Sequence, residues 1–308
     1  MAGEILATSG QTTSPRGLAL RNLHLLSSRL RAWWHKMRIG PLAFYQYGSA
    51  AIGFWIVIAW IVLAILAPLL APYGPNAQIG KLWAPPSAEH LFGTDMIGRD
   101  ILSRTLWGAR PILLLSPISV VCATLVGVTL GLFAGYLGGL ADDILMRVLD
   151  AVMAFPTLLL YLIIIAAVGP STLNVVLAIT IGGFPGVARL TRSMVLDVRN
   201  REYVAASRLR GESTLYIMFR EILPNCMGPV FIDACLRVGY AAFAIGTLGF
   251  LGLGLPPPDP DWGKMVAEGR MWIITAPWMA VVPSLAISSL VVGLNLFADG
   301  VNAASRKF

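Results

Sequence analysis

The chain has 308 residues, 56% of them hydrophobic and 13% charged, with a mean hydropathy of +0.73. Soluble domains carry about 25% charged residues, so this composition excludes an ordinary water-soluble protein and specifies one immersed in lipid. The formal net charge of +7 does not point to nucleic acid, because the basic residues sort to one side of the topology that the apolar runs predict.

Residues 1–15 are rich in Ser, Thr, Gly and Gln and predict a disordered start. Over 16–47, Leu20, Leu23, Leu26, Leu30, Trp33 and Trp34 recur at near-helical spacing with arginines between them. That pattern makes 1–47 a leader with an interfacial amphipathic helix; an unstructured basic segment that only fixes topology fits the same residues. No cleavable signal peptide is evident, since the first apolar run starts near Gly48 and is long enough to span.

Six runs, 48–71, 111–137, 151–169, 173–190, 226–255 and 275–298, approach or exceed the about 20 apolar residues that a bilayer crossing needs. None alternates as a barrel strand does, so all six predict helices. The third and fourth are separated by little more than Gly169-Pro170-Ser171, a tight turn. The expected fold is therefore an all-α integral membrane bundle of six transmembrane helices. Its parts are a first helix over 48–71, a loop over 72–110 carrying a surface helix, a core over 111–302 that includes a polar loop at 192–224, and a tail over 303–308.

Lys and Arg set the orientation. Arg16, Arg21, Arg29, Arg31, Lys36 and Arg38 precede the first run, and Arg192, Arg199, Arg201, Arg208, Arg210 and Arg220 lie between the fourth and fifth. The other side holds Lys81, Arg99, Arg104, Lys264 and Arg270, with Arg110 at the membrane edge. This excess places both termini in the cytoplasm and 72–110 outside.

The 192–224 loop concentrates charge in a chain that otherwise has little. Tyr203 to Arg210 predicts about two helical turns, with Gly211 as a left-handed stop. A second helix follows with Leu215, Met218, Phe219 and Ile222 on one face, ended by Pro224. Small side chains at Ala205, Ala206 and Ser207 let another surface approach closely, and Arg208 and Arg210 suit acidic groups at a groove edge. A solvated loop that merely obeys the charge rule fits the same residues.

On the other side, Asp95, Arg99 and Asp100 alternate in sign within an amphipathic turn, which suits a helix lying on the membrane surface. Asp233 and Arg237 are intramembrane charges four residues apart, hence on one helical face. They read either as a polar point on a substrate pathway or as a self-neutralising pair packed at an interface.

Catalytic signatures are missing. Neither Gly80-Lys81 nor Gly263-Lys264 completes a phosphate-cradling loop, and His24, His35 and His90 are isolated. Cys122, Cys226 and Cys235 form no metal or disulfide pattern. The expectation is a non-enzyme with no cofactor and no metal of its own.

Several of these segments resemble one family. Ala205-Ala206-Ser207, Gly211 and Leu223-Pro224 resemble the "EAA" coupling loop of ABC importer permeases, with Ala205 where the first position is usually Glu. Phe92-Gly93-Thr94-Asp95 through Ser103-Arg104 resembles the "FGTDxxGRDxxSR" segment of the dipeptide/oligopeptide/nickel group. Asp142 to Asp150 with Phe155-Pro156 is similar to that group's second-to-third-helix loop. Phe250 to Gly254 with Pro257 and Asp261 to Met265 is similar to the loop after its fifth helix. Asn295 to Gly300 resembles its "NLLGDGLRD" ending, with Ala298 for glycine and Val301-Asn302 for Leu-Arg. The resemblance covers about residues 48–302 and fits the shorter, C-type permease.

What it implies is a type I ABC importer permease of the bacterial inner membrane, for peptides or related small solutes, working by alternating access. It implies a heterodimer with a second permease, two ATPase subunits that hold the ATP and Mg, and an extracytoplasmic solute-binding protein. Docking of the ATPase would fall to Tyr203, Ala205, Ala206, Ser207, Arg208, Arg210, Gly211 and Pro224, and contact with the binding protein to Asp95, Arg99, Asp100, Asp261 and Trp262. A secondary transporter would want several midplane carboxylates, where only Asp233 qualifies. A non-transporting assembly subunit would need no coupling loop.

Overall fold

The computed structural model describes residues 48–256 and 258–305, all within the unit Tyr47–Phe308. The leader expected over 1–47, residues 306–308 and Pro257 lie outside the described residues. Apart from isolated bridges such as Thr94 to Asp100, the regular structure described is helical.

Helix α1 is Gly48–Leu70, in agreement with the first apolar run. It lies along the last helix, α9 (Trp278–Ser305), through a seam of small residues. A Cβ on Gly53 would stand 2.5 Å from the Phe297 backbone nitrogen, and one on Gly293 would stand 2.6 Å from Ile56. Lipid gives helices no hydrophobic reason to associate, so close backbone approach through small residues is what holds such a pair.

Helix α2, Ile101–Leu137, has 37 residues and is thus about 55 Å long. That exceeds the about 30 Å of a hydrocarbon core. It absorbs ten residues that the sequence assigned to the outer loop. The expected surface helix over 92–104 is not formed: 92–100 is an irregular turn, and Asp100 caps α2 by accepting from the Ser103 backbone N–H at 2.7 Å.

Gly138 and Gly139, at φ 66° and 63°, turn the chain into α3, Gly139–Met153. Helix α4, Thr157–Val168, follows at an angle of 87°. The single helix expected over 151–169 is therefore a bent pair. Pro156 explains the break, because proline disfavours helical backbone in the residue before it. At 12 residues α4 is about 18 Å long and cannot cross alone.

Ser171 then caps α5, Thr172–Val198, and the Gly169–Ser171 turn forms as expected, with Gly169 at φ 90°. Gly127, Gly131 and Gly135 of α2, spaced by four, lie against Phe184, Val187, Ala188, Thr191 and Val195 of α5. This is the most extensive helix pairing in the bundle.

Helix α6 is Glu202–Leu209. Helix α7 runs Thr214–Phe250 and contains a π-helical stretch, Ile217–Ile222. Helix α8 is Trp262–Arg270. Among the described residues, five helices, α1, α2, α5, α7 and α9, are long and apolar enough to cross, and the bent α3–α4 pair brings the number to six where it is one broken span and not a re-entrant loop.

Candidate functional site

The polar segment after α5 folds as a short helix with two different sides. Val204 and Ser207 point inward, and Val204 joins a buried cluster of Leu132 from α2, Val195 and Val198 from α5, and Ile217, Met218 and Ile222 from α7. Ala205, Ala206, Arg208 and Leu209 face outward. Leu209 is 90% exposed, a large apolar side chain with little cover among the described residues.

The end of α6 is closed by two backbone bonds. Gly211 N–H donates to the Arg208 carbonyl at 3.0 Å, and Glu212 N–H donates to the Ser207 carbonyl at 3.2 Å. This is the Schellman arrangement, and it needs the left-handed residue that Gly211 supplies at φ 75°. Side chains brace it: Arg210 Nη2 donates to Ser207 Oγ at 2.8 Å, which donates to the Tyr203 carbonyl at 3.0 Å. Arg208 lies 5.2 Å from the Tyr136 ring centroid. The Tyr203 hydroxyl is enclosed without a hydrogen-bond partner among the described residues, and burial pushes its titration up, against the pull of the Arg201 charge.

Pro224 does not end the second helix, contrary to expectation. It lacks an N–H and its ring would strike the carbonyl of Arg220 in a regular α-helix. The chain instead widens into the Ile217–Ile222 π-turn, in which Leu223 N–H donates to the Met218 carbonyl five residues back. The side-chain amide of Asn225 donates to the Glu221 carbonyl at 2.6 Å. The second half of the loop is thus continuous with α7, a lever with a π-turn near its base, while α6 is a separate helix capped at Gly211.

Ion pairs fix the elements around this lever. Arg192 of α5 makes a two-toothed bond to Asp142 of α3, both contacts at 2.6 Å, and Arg199 Nη1 donates to the Gly135 carbonyl at 2.7 Å. Arg189 pairs with Asp150.

At the opposite end the structure corrects the expected contact residues. Asp95, Asp100, Asp261 and Trp262 are buried, so their side chains build the fold and do not face a partner. Asp95 accepts from the backbone N–H groups of Ile97 and Arg99, each at 2.9 Å, and from the Arg99 and Arg104 side chains. Burial alone would raise its carboxyl, but the Arg99 and Ile97 N–H groups and then the Arg99 charge outweigh it, and the group titrates below its ordinary value. Glu268 of α8 joins through Arg99 at 3.3 Å. Asp100 also holds His90 at 3.0 Å.

Trp262 donates from Nε1 to the Thr105 carbonyl at 2.8 Å and meets the Trp60 ring edge-on, centroids 4.9 Å apart. Asp261 caps α8 through the Lys264 N–H at 3.2 Å and accepts from Leu255 N–H at 3.0 Å. Burial pushes this carboxyl up, against those two N–H groups. Beside exposed polar residues such as Lys81, Glu89 and Arg270, this end bares large apolar side chains, Met271 at 80% and Ile274 at 92%, next to Trp272, which packs on Trp83 at 4.8 Å. Met271, Trp272 and Ile274 lie just ahead of the last apolar run, 275–298, and no motif singles them out in the sequence.

Asp233 and Arg237 form the intrahelical pair that their spacing predicts, halfway along α7. A lone charge at the centre of a bilayer costs about 2.5–3.5 kcal/mol, which pairing reduces. Tyr240, one turn further on the same face, is well exposed.

The family model for the "binding-protein-dependent transport system inner membrane component" matches residues 127–307. A second, for the "N-terminal TM domain of oligopeptide transport permease C", matches residues 43–86. The di/tripeptide transport system permease protein DppC of Pseudomonas aeruginosa is 42% identical over 268 residues, covering 84% of this chain and 88% of that protein. The dipeptide transport system permease protein DppC of Alkalihalophilus pseudofirmus is 41% identical, covering 83% of this chain and 84% of its own. The glutathione transport system permease protein GsiD of Pectobacterium atrosepticum is 38% identical, covering 84% and 86%. Among solved structures, an inward-facing MetNI methionine ABC transporter chain matches with a TM-score of 0.53 at 16% identity, over 66% of this chain and 95% of that one. That likeness concerns the fold. Taken with the five long helices and the bent pair, these matches establish that the chain belongs to the family of binding-protein-dependent transport system inner membrane components, as a bacterial inner-membrane permease subunit with an ABC importer fold.

Proposed function

We propose that this permease carries peptides or closely related small solutes, and that α6 is its seat for an ATPase subunit. The observation that carries the reading is the outer face of α6. It has two alanines, a bare Leu209 and flanking arginines, stapled to α2, α5 and α7 by the Val204 cluster. A small-residue helix with one apolar knob fits a groove on a soluble partner. Rigid attachment to α7 lets movement of that partner reach the bundle. The end bearing α6 is cytoplasmic, as the arginine excess argues. The transporter is a heterodimer with a second permease, served by two ATPases that hold ATP and Mg and by a solute-binding protein. The relatives named for di/tripeptide, dipeptide and glutathione transport support the substrate class. The exposed Met271 and Ile274, with Trp83 and Trp272, are the surface offered to the binding protein, in place of the buried acidic residues.

The test is uptake of a labelled dipeptide into proteoliposomes holding the full complex with binding protein. Uptake that requires ATP supports the reading. Uptake driven by a proton gradient without ATP would replace it with secondary transport.

A further inference from the structure

We propose that the α7 face bearing Asp233, Arg237 and Tyr240 lines the conduit, and that the charged termini of a passing peptide meet it there; the occupant rests on the peptide reading above.

The face has unused polar capacity. Arg237 donates from Nε to Asp233 and from Nη1 to the Gly183 carbonyl at 3.4 Å. A guanidinium has five N–H donors, so three find no partner among the described residues. The two side chains remain 28% and 26% exposed, and Tyr240, three residues beyond Arg237, is 68% exposed. Hydrocarbon cannot satisfy these groups, so the face does not belong on the lipid side.

The neighbouring helix is shaped to accept the pair. Gly186 of α5 lies beside it, where a Cβ would stand 2.8 Å from Arg237 Nη2, and Gly183 offers its carbonyl to Arg237. Gly182 likewise receives the Tyr161 ring of α4. Further along α7, an open groove of about 210 Å³ adds the hydroxyls of Thr247, Ser284 and Ser288. The rest of its lining is apolar, including Phe243, Phe250 and Ile287, so beyond Tyr240 the polar groups are single hydroxyls towards the end that carries α8.

The chemistry matches one class of solute. The free guanidinium edge suits a carboxylate and Asp233 suits an ammonium group, the two ends of a zwitterionic peptide. Because the pair already neutralises itself, it holds neither terminus tightly. Passage requires binding weak enough to release.

The experiment uses the assembled transporter in proteoliposomes, with Cys122, Cys226 and Cys235 replaced by Ala. Tyr240→Cys is treated with a charged, membrane-impermeant thiol reagent with and without ATP, beside Leu285→Cys, an exposed apolar position of α9. The proposal expects Tyr240→Cys to label on the order of tenfold faster than Leu285→Cys in one nucleotide state, since the reagent does not enter lipid. It also expects a zwitterionic dipeptide to protect that cysteine, and the Asp233→Asn, Arg237→Gln double change to abolish protection while labelling persists. No labelling in either state overturns the conduit and means that lipid or the second permease covers this face. Labelling without protection, in a transporter that still takes up the dipeptide, overturns the occupant. Absence of dipeptide uptake by the unaltered complex rejects the peptide reading instead, and labelling still decides the conduit.

Discussion

The backbone N–H of Glu212 reaches back 3.2 Å to the carbonyl of Ser207, across the left-handed Gly211, and ends α6 at Leu209. Nothing lies within 4 Å of where a Gly211 Cβ would be, so the glycine is required for its backbone angle and not for space. Gly211→Val therefore costs about 1–2 kcal/mol of conformational strain and re-aims the helix end. Gly211→Asn, which tolerates the same angle, is expected to retain function. Peptide-stimulated ATP hydrolysis by the reconstituted complex should fall with Val and survive with Asn; equal activity in both variants would remove the cap from the account.

Pro224 and the π-turn make a second test. Pro224→Ala restores an N–H and removes the ring that a regular helix could not accommodate. The 217–222 segment can then relax by one residue, turning the start of α7, to which α6 is linked, by about 100° relative to the rest of that helix. Transport should drop while the complex still assembles. Unchanged transport would show that the π-turn carries no part of the coupling.

Trp262 anchors α8 in the bundle. Its ring is wholly buried between Trp60 and Gly108, and its N–H is used by Thr105. Trp262→Ala should destabilise the chain by about 3–5 kcal/mol, seen as loss of assembled complex on mild heating in detergent. Trp262→Phe keeps much of the volume and loses one hydrogen bond, about 1 kcal/mol. The reverse ranking would refute this packing role.

Acid should loosen the Asp95 network. The folded-state titration of Asp95 lies below its ordinary value, so its contribution is present above about pH 4 and is lost as pH falls through the lower folded value. Asp261 works in the opposite sense: its raised folded value makes the ionised form costly, and acid relieves that cost. Asp95→Asn should flatten the acid limb of a stability-against-pH profile, whereas Asp261→Asn, still a capable cap, should steepen it. Identical limbs in the unaltered protein and both variants would contradict these assignments.

Much of this architecture is legible in the apolar runs, because lipid demands long helices and little else. The α6 helix and its Gly211 stop follow from local backbone rules, as does the Asp233–Arg237 pairing. Three features are not legible locally. The bend at Pro156 needs a choice between kinking and ending a helix, which the neighbouring helices make. The burial of Asp95, Asp100 and Asp261 depends on Arg104, on His90 and on the backbone N–H groups of Leu255 and Lys264 respectively, whose approach no local sequence pattern announces. The α2–α5 seam was written in the sequence as Gly127, Gly131 and Gly135, a spacing that signals helix contact and that a reading centred on charge overlooked.

Leu209 gives the central claim its sharpest exposure. In the full complex with binding protein and dipeptide, Leu209→Asp changes a side chain that is 90% exposed, so the permease itself should fold and insert as before. If α6 seats in an apolar groove of the ATPase, peptide-stimulated ATP hydrolysis by that complex falls to the unstimulated level, because a charge cannot enter the groove without losing its hydration. Stimulation equal to that of the unaltered complex would contradict the docking of α6 and the account built on it.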